Sequence, residues 1–289
     1  MKPAIHKSPI PDSQVFIVKH LEDQYFDPVW HSHSEYQLFV PLAGNGTRFI
    51  GDSIKSFGPN ELILTGPNLP HLWRSDEAYF EKNSSLKIRG IVIYLQESLL
   101  GEHLMKKEEM QQLNKLFKRS SRGLEFYGDV KQKVITMMKD LLQLKGLDAF
   151  IYLLKILNLL SATKEYHYIS HNEYVDPFKE NETDKMSRVY EYILKNYRKK
   201  VSQNELADLL CMTPTSFSRY FTKVNNKGFV KFITELRVKH ACKLLTETNL
   251  AIIDIAEKSG FKTLSNFNKL FKSEMNKKPS DYRKEFLAL

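Results

Sequence analysis

Short runs of β-branched and aromatic residues, separated by turn residues, make up about the first 95 positions of the chain. The clearest runs are residues 15–18, 36–40, 62–64 and 88–94. Clusters of glycine, proline and asparagine stand between them, for example at Gly58-Pro59-Asn60. Several short strands at this spacing are typical of a β-sandwich or β-barrel, so the sequence predicts a β-rich first region.

From about residue 98 to residue 162 the hydrophobic period changes to three and four residues, which indicates amphipathic helices. We expect part of their apolar surface to cover the strands, and another part could pair with a second copy of the chain. The apolar residues that repeat in this way are Met110, Leu113, Leu116, Phe117, Val134, Met137, Met138, Leu141, Leu142, Leu153, Leu154, Leu157 and Leu160.

A loss of periodicity divides the chain into two predicted domains. Residues 163–183 are polar and have no apolar face, so we expect a linker there. From residue 184 the pattern is helical again, and Ser202 with Glu205 forms a capping-box sequence. The predicted organisation is an N-terminal domain of residues 1–162, the linker, and a C-terminal domain of residues 184–289.

The last third of the chain contains an internal duplication. Phe217, Arg219 and Phe221 are matched fifty positions later by Phe267, Lys269 and Phe271. Upstream, Leu206-Ala207 is matched by Ile255-Ala256 forty-nine positions later, so the second copy has one more residue in its turn.

Each copy has the expected anatomy of a helix-turn-helix unit. A short helix with a small alanine is followed by a tight turn, in which Gly260 suits a left-handed helix end. Thr213 and Thr263 then stand at the N-cap of a second helix, and Pro214 occupies its first position. The phenylalanines at i and i+4 are expected to face inward.

The outer face of each second helix is small, polar and cationic, which suits the DNA major groove. Residues 229–245 between the copies predict a helix of roughly 25 Å, which would hold two recognition helices about one DNA turn apart. A plain helical bundle would explain the aromatic residues but not the repeated polar outer face.

The distribution of charge along the chain also favours binding to nucleic acid. The net charge is +9, and residues 184–289 carry 21 Lys and Arg against 11 Asp and Glu, a net of +10. The remainder of the chain has a net charge of −1. A basic domain attracts polyanions, of which nucleic acid is the commonest.

Composition excludes several other classes. Cys211 and Cys242 are too few for a disulfide framework and lack metal-site spacing. No apolar run approaches the ~18 residues of a membrane helix, and no secretion signal is recognisable. A cytoplasmic protein is expected.

Residues 184–286 resemble the DNA-binding domain of AraC/XylS-family transcription regulators. The resemblance is carried by Ile255-Ala256, Gly260-Phe261, Ser265-Asn266-Phe267, Phe271-Lys272 and the run from Lys278 to Arg283. It implies contacts with double-stranded DNA, with Arg219 suited to guanine and Asn266 to adenine. Lys269 stands where the family often has arginine, so a phosphate contact is an alternative for it. The predicted DNA-binding residues are Thr213, Thr215, Ser218, Arg219, Thr263, Ser265, Asn266 and Lys269.

A histidine-rich segment begins at His31. In a strand, His31, His33, Glu35 and Gln37 would point to one face. The segment resembles the first motif of cupins, and His71 resembles the later cupin histidine. The chain departs from the metal-binding pattern because Gln37 replaces the usual glutamate, and no metal, cofactor or catalytic residue is predicted.

Three roles for this segment stay open: an effector pocket, which we favour, a purely structural barrel, and a metal site. The predicted effector-binding residues are His31, His33, Gln37, His71 and Trp73. A sugar or related metabolite as effector rests on analogy with the family alone.

The predicted fold is α+β with two domains: a cupin-like β-barrel followed by helices, and an all-α domain with two helix-turn-helix units joined by a long helix. The predicted function is a sequence-specific transcription regulator that responds to a small molecule. The resemblance to AraC/XylS regulators implies activation more than repression. RNA polymerase and a second copy of the chain are expected partners. The alternatives are a metal-dependent cupin enzyme with a DNA-binding tail, and a DNA-binding protein whose barrel only dimerises.

Overall fold

The structure is a computed structural model that describes residues 9–26, 29–170 and 181–287. The chain divides into two compact units, Met1–Thr183 and Asp184–Leu289. Each unit is described by itself below.

The strands of the N-terminal unit form two antiparallel sheets. The larger has the order β1-β7-β2-β5-β8-β9 and the smaller the order β4-β3-β6. All four strand runs predicted from the sequence are present as β1, β2, β5 and β7. The strands are β1 (Phe16–Asp23), β2 (Tyr36–Ala43), β3 (Gly46–Ile50), β4 (Ser53–Phe57), β5 (Leu62–Thr65), β6 (His71–Ser75), β7 (Ile88–Leu95), β8 (Leu124–Phe126) and β9 (Tyr166–Tyr168).

The predicted cupin-like barrel is not closed among the described residues. Between β5 in one sheet and β6 in the other, the chain passes through Pro67 and Pro70, which cannot donate to a ladder, and Asn68, which has a φ of +58°. His31 forms only an isolated bridge with His71, the first residue of β6, and adds no further strand. Two sheets facing one another therefore replace the expected continuous barrel.

Helices cover one face of the larger sheet, as the apolar period predicted. Buried Leu38, Leu64 and Ile93 of the sheet share one core with Leu116 and Leu157 of the helices. The helices are α1 (Gly101–Met105), α2 (Gln111–Ser120), α3 (Gly128–Leu141) and α4 (Gly146–Ala162), with 3₁₀ turns at Glu77–Phe80 and Glu108–Met110.

The start of the predicted linker belongs to the sheet. Residues 166–168 form β9, which pairs with β8, and Ile169 and Ser170 behind it are buried. Three polar or aromatic residues carry too little periodicity to reveal such a short edge strand. Residues 171–180 of the predicted linker lie outside the described residues.

The C-terminal unit is helical, and its predicted helix-turn-helix elements are confirmed to within about two residues. The helices are α5 (Asn181–Asn196), α6 (Gln203–Leu209), α7 (Pro214–Asn225), α8 (Phe229–Glu247), α9 (Ile252–Lys258), α10 (Leu264–Met275) and α11 (Pro279–Leu287). Across the described residues of both units, no helix combines the length and apolar character needed to cross a membrane.

Candidate nucleic-acid interface and histidine cluster

Side-chain caps set the start of each helix in the first repeat. The Ser202 hydroxyl accepts from the Glu205 backbone N–H at 3.2 Å, and the Glu205 carboxylate accepts from the Ser202 N–H at 3.0 Å. Thr213 accepts from the Ser216 N–H at 3.2 Å, at the start of α7. In the second repeat Thr263 caps α10 in the same way, accepting from the Asn266 N–H at 3.2 Å, whereas α9 begins after Ala251 with no side-chain cap. The capping box and both threonine caps are thus confirmed.

The turn inside each unit closes with the same pair of backbone hydrogen bonds. In the first turn, Cys211 N–H donates to the Asp208 carbonyl at 3.0 Å and Met212 N–H to the Ala207 carbonyl at 2.9 Å. In the second turn, Gly260 N–H donates to the Glu257 carbonyl at 2.8 Å and Phe261 N–H to the Ala256 carbonyl at 3.0 Å. This bond pattern is a Schellman turn, which requires a left-handed residue after the helix. Gly260 fills that position with a φ of +85°, whereas the first unit uses Cys211 with a φ of +54°.

The inner faces of α7 and α10 are aromatic, as predicted. Phe217, Phe221, Phe267 and Phe271 are completely buried. Their rings are paired within each helix at centroid distances of 5.6 Å and 5.5 Å. Because these rings fill the two cores, each second helix is held with its opposite face outward.

The predicted DNA-contacting side chains lie on those outward faces. On α7, Thr215 and Arg219 are exposed and Ser218 is half-buried. On α10, Ser265, Asn266 and Lys269 are all exposed. Thr213 and Thr263 are also exposed, but their hydroxyls already accept the N-cap hydrogen bonds of α7 and α10.

The duplication extends beyond the residues identified in the sequence. Asn226 and Asn276 end α7 and α10 in the left-handed conformation, at the same offset of fifty. Lys227 then pairs with Glu235, and Lys277 with Glu285, again fifty positions apart. Sequence analysis missed these pairs, although extending the alignment at this offset would have found them.

The histidine segment is not the continuous strand that was expected. Strand β2 begins only at Tyr36, and His31 forms a single bridge with His71. Ser32 and Ser34 sit in a non-repetitive stretch, so the alternation of faces does not apply. The side chains nevertheless converge, because Gln37 Oε1 lies 3.0 Å from His33 Nε2 and 3.2 Å from His71 Nε2.

Most of this cluster is buried. His33, Gln37 and His71 have at most 8% of their surface exposed, and Trp73 has 6%. The Trp73 ring lies 5.5 Å from the His71 ring, and its Nε1 is buried with no hydrogen-bond partner among the described residues. His31 is half-buried and faces both other histidine rings, at 5.9 Å and 4.6 Å.

A cavity of about 420 Å³ opens beside His31 and His33. Its lining includes Glu22 and Tyr94, whose ring lies 5.3 Å from the His33 ring. Burial, reinforced by the charge of Glu35, raises the pKa of Tyr94 to about 12. The Tyr94 hydroxyl is therefore neutral over the physiological range and able to donate a hydrogen bond.

Two helix-turn-helix units of one design, joined by the 19-residue α8, define the C-terminal unit as a double helix-turn-helix domain. Residues 206–285 match the model of a family described as a helix-turn-helix domain. The C-terminal unit is an AraC-type helix-turn-helix domain, as its resemblance to AraC/XylS regulators implied.

The curated relatives that this chain matches are similar to it over about a third of its length. An uncharacterized HTH-type transcriptional regulator of Staphylococcus aureus strain MSSA476 is 32% identical over 100 residues, which cover 35% of this chain and 13% of that protein. The bifunctional transcriptional activator/DNA repair enzyme AdaA of Bacillus subtilis is 36% identical over 95 residues, which cover 33% of this chain and 45% of AdaA. The chain thus spans less than half the length of either relative.

Two solved structures are also similar. The C-terminal domain of AraT, a response regulator from Geobacillus stearothermophilus, is 30% identical, with a TM-score of 0.32 over 33% of this chain and 79% of that chain. ToxT from Vibrio cholerae is 17% identical, with a TM-score of 0.38 over 94% of this chain and all of that chain.

Proposed function

We propose that the protein is a sequence-specific regulator of transcription that binds double-stranded DNA through α7 and α10. The observation that carries the proposal is the repeat of one design: the same threonine cap on the second helix, the same buried phenylalanines and an exposed polar face at equivalent positions. A helix with these properties fits the major groove, where base edges differ between base pairs. The match of residues 206–285 to the helix-turn-helix family supports it.

Electrostatics supports the same target. The net charge of +10 over residues 184–289 provides attraction to phosphates that does not depend on sequence. Exposed Arg219 and Asn266 have the geometry to read guanine and adenine, respectively. Lys269 is a point charge without a planar fork, and we assign it to phosphate.

We further propose that the N-terminal unit senses a small molecule and that the response is activation of transcription. The cavity beside His31 and His33 is the proposed entrance, with Gln37, His71 and Trp73 behind it. Such a ligand acts only if its affinity differs between two states of the protein.

The proposed protein partners are RNA polymerase and a second copy of the chain. Leu147 of α4 is 71% exposed and is a candidate for the dimer surface. The role proposed is regulatory, not enzymatic.

The first experiment is selection of genomic DNA fragments by the purified full chain at physiological salt, followed by sequencing. We expect a motif with two blocks about one helical turn apart. A double variant, Arg219→Ala with Lys269→Ala, is the matched control and should lose the enrichment while keeping its helical content. Enrichment without a motif, or equal enrichment by the variant, would contradict sequence-specific reading by α7 and α10.

A further inference from the structure

An exposed leucine begins the second recognition helix. Leu264 is the first residue of α10, directly after the Thr263 N-cap, and 37% of its surface is exposed. Residues three and four positions apart are neighbours on a helix surface, so Leu264 lies between buried Phe267 and exposed Asn268. It therefore stands at the edge of the core, with part of its side chain available to a partner.

The neighbouring side chains of Leu264 favour DNA as that partner. Ser265, Asn266, Asn268 and Lys269 are all exposed, and residues 184–289 have a positive net charge. A protein with an apolar surface would take these polar groups out of water without replacing their hydrogen bonds, which costs free energy. Double-stranded DNA offers them phosphates and base edges instead.

The position of Leu264 in the helix directs it toward the bases. Every Cα–Cβ bond of an α-helix tilts toward the N-terminus, so the side chain of a first-turn residue extends toward that end of the helix. In helix-turn-helix units, the N-terminal residues of the second helix are the ones that contact base edges. A leucine at the first position of α10 is therefore aimed at the floor of the major groove.

The base edges in the major groove offer one apolar group to such a side chain. Guanine, adenine and cytosine present hydrogen-bond donors and acceptors there, whereas thymine presents one acceptor and its C5-methyl group. A leucine against any of the first three bases would desolvate a polar edge and could not form a hydrogen bond with it. Against thymine, it would bury one methyl group on an apolar surface.

We propose that Leu264 contacts the C5-methyl group of a thymine and so selects thymine at one position of the DNA block that α10 reads. The inference rests on the proposed function, because it requires α10 to lie in the major groove. The DNA-binding residues predicted from the sequence are all polar or charged, so this contact adds an apolar reading to theirs.

The first repeat does not offer the same contact. Its equivalent residue, fifty positions earlier, is Pro214 at the start of α7. The proline ring closes back onto its own backbone nitrogen and has no free end to extend into the groove. The contact with thymine is therefore specific to the block that α10 reads.

The test removes the methyl group from the DNA. Each thymine of the selected motif is replaced in turn by deoxyuridine, which lacks only the C5-methyl group, and the affinity of the full chain is measured by fluorescence anisotropy at constant salt. We expect a thymine at which this change weakens binding about three- to tenfold, as for the loss of one buried methyl group. Leu264→Ala should bind the thymine and deoxyuridine duplexes equally, and as weakly as the wild type binds the deoxyuridine duplex.

Two controls separate the methyl contact from indirect effects. Val230→Ala shortens a more exposed apolar side chain, on α8, and should keep the full dependence on the methyl group. Cytosine at the critical position should weaken binding. Its replacement by 5-methylcytosine restores a methyl group at the same place in the groove, and should recover about three- to tenfold in the wild type but not in Leu264→Ala. Far-UV circular dichroism checks that both variants are folded.

The outcomes distinguish this contact from the proposed function. Equal losses on deoxyuridine in the wild type and Leu264→Ala, or no thymine whose methyl group matters, would overturn the contact while sequence-specific binding stands. Unchanged DNA binding by Leu264→Ala would also overturn it, and would leave the leucine to a protein partner. Binding that does not depend on sequence at all would overturn the proposed function and this contact together.

Discussion

At the scale of single residues, the two turns of the repeat meet the same backbone requirement with different side chains. Cys211 and Gly260 both follow a helix in the left-handed region, where a Cβ costs about 1–2 kcal/mol. The surroundings differ, because a Cβ on Gly260 would lie 2.7 Å from the Arg198 carbonyl oxygen, while Cys211 is exposed. Glycine is thus required in the second turn and only preferred in the first.

Gly260→Ala is therefore expected to destabilise the C-terminal unit by about 2–4 kcal/mol, through the strained φ and the contact with Arg198. Cys211→Gly should stabilise it by up to about 1 kcal/mol, and Cys211→Ala, the matched control, should change little. Urea unfolding followed by circular dichroism measures all three. A Gly260→Ala variant as stable as Cys211→Ala would show that the second turn is looser than described.

A buried arginine in the N-terminal unit is the other residue-scale feature. Arg48 is 1% exposed and donates to Glu61 at 3.1 Å and to Glu125 at 2.6 Å. Burial acts to raise the pKa of Glu125, but Arg48 and Lys55 outweigh it, so the pKa lies below its ordinary value. Burial raises the pKa of Glu61, which keeps its own contact with Arg48.

Since the folded-state pKa of Glu125 is lowered, its stabilising effect is present above the unfolded-state pKa and is lost as pH falls through the folded-state pKa. We expect Glu125→Gln to cost about 1.5–3 kcal/mol at pH 7, because it removes a charged partner of a buried guanidinium. The difference from wild type should shrink below about pH 4. Urea unfolding at both pH values measures it, with exposed Glu102→Gln as control. A cost that does not change with pH would exclude the charged interaction as its cause.

At the scale of the element, α10 has a buried aromatic face and an exposed face. Phe267→Ala should destabilise the second helix-turn-helix by about 3–5 kcal/mol, because the residue is fully buried and its truncation leaves a cavity. Leu264→Ala, on the same helix but 37% exposed, should cost far less. Thermal unfolding separates the two. Equal losses would place Phe267 outside the core.

The exposed face of α7 makes a separate prediction. Arg219→Ala should weaken DNA binding by about 1–3 kcal/mol and relax the preference at one base position, if its guanidinium reads a base edge. Lys195→Ala removes the same charge from an exposed position on α5 and should have a smaller, uniform effect. Binding to a panel of single-base variants of the selected motif measures both. A uniform loss for Arg219→Ala would assign it to phosphate.

At the scale of the whole molecule, the proposal links the length of α8 to the spacing of the DNA blocks. Nineteen helical residues span roughly 28 Å, and a helix does not stretch. Inserting about five base pairs between the two blocks turns the second to the opposite face of the duplex and should weaken binding at least ~100-fold. Inserting about ten restores the face but not the distance, so affinity should stay low. Gel-shift titration measures the affinity for both insertions. Full affinity for either insertion would mean that α8 does not couple the two helix-turn-helix repeats rigidly.

The C-terminal unit follows closely from the sequence, because its signals are local. N-caps such as Thr213 and Thr263, the helical period and Gly260 all act within a few residues, and the duplication states the pattern twice. The strand runs of the N-terminal unit were predictable for the same reason. The positive charge of residues 184–289 needed no structure at all.

Tertiary structure decided the features that depend on distant partners. The separation into two sheets, the short strand β9 and the ion pairs of Arg48 rest on pairings between residues far apart in the chain. The predicted alternation placed His31, His33 and Gln37 on one strand face, which is wrong. They meet His71 because backbone hydrogen bonds and carbonyl contacts bring two segments together, and no periodicity within one segment encodes such a meeting.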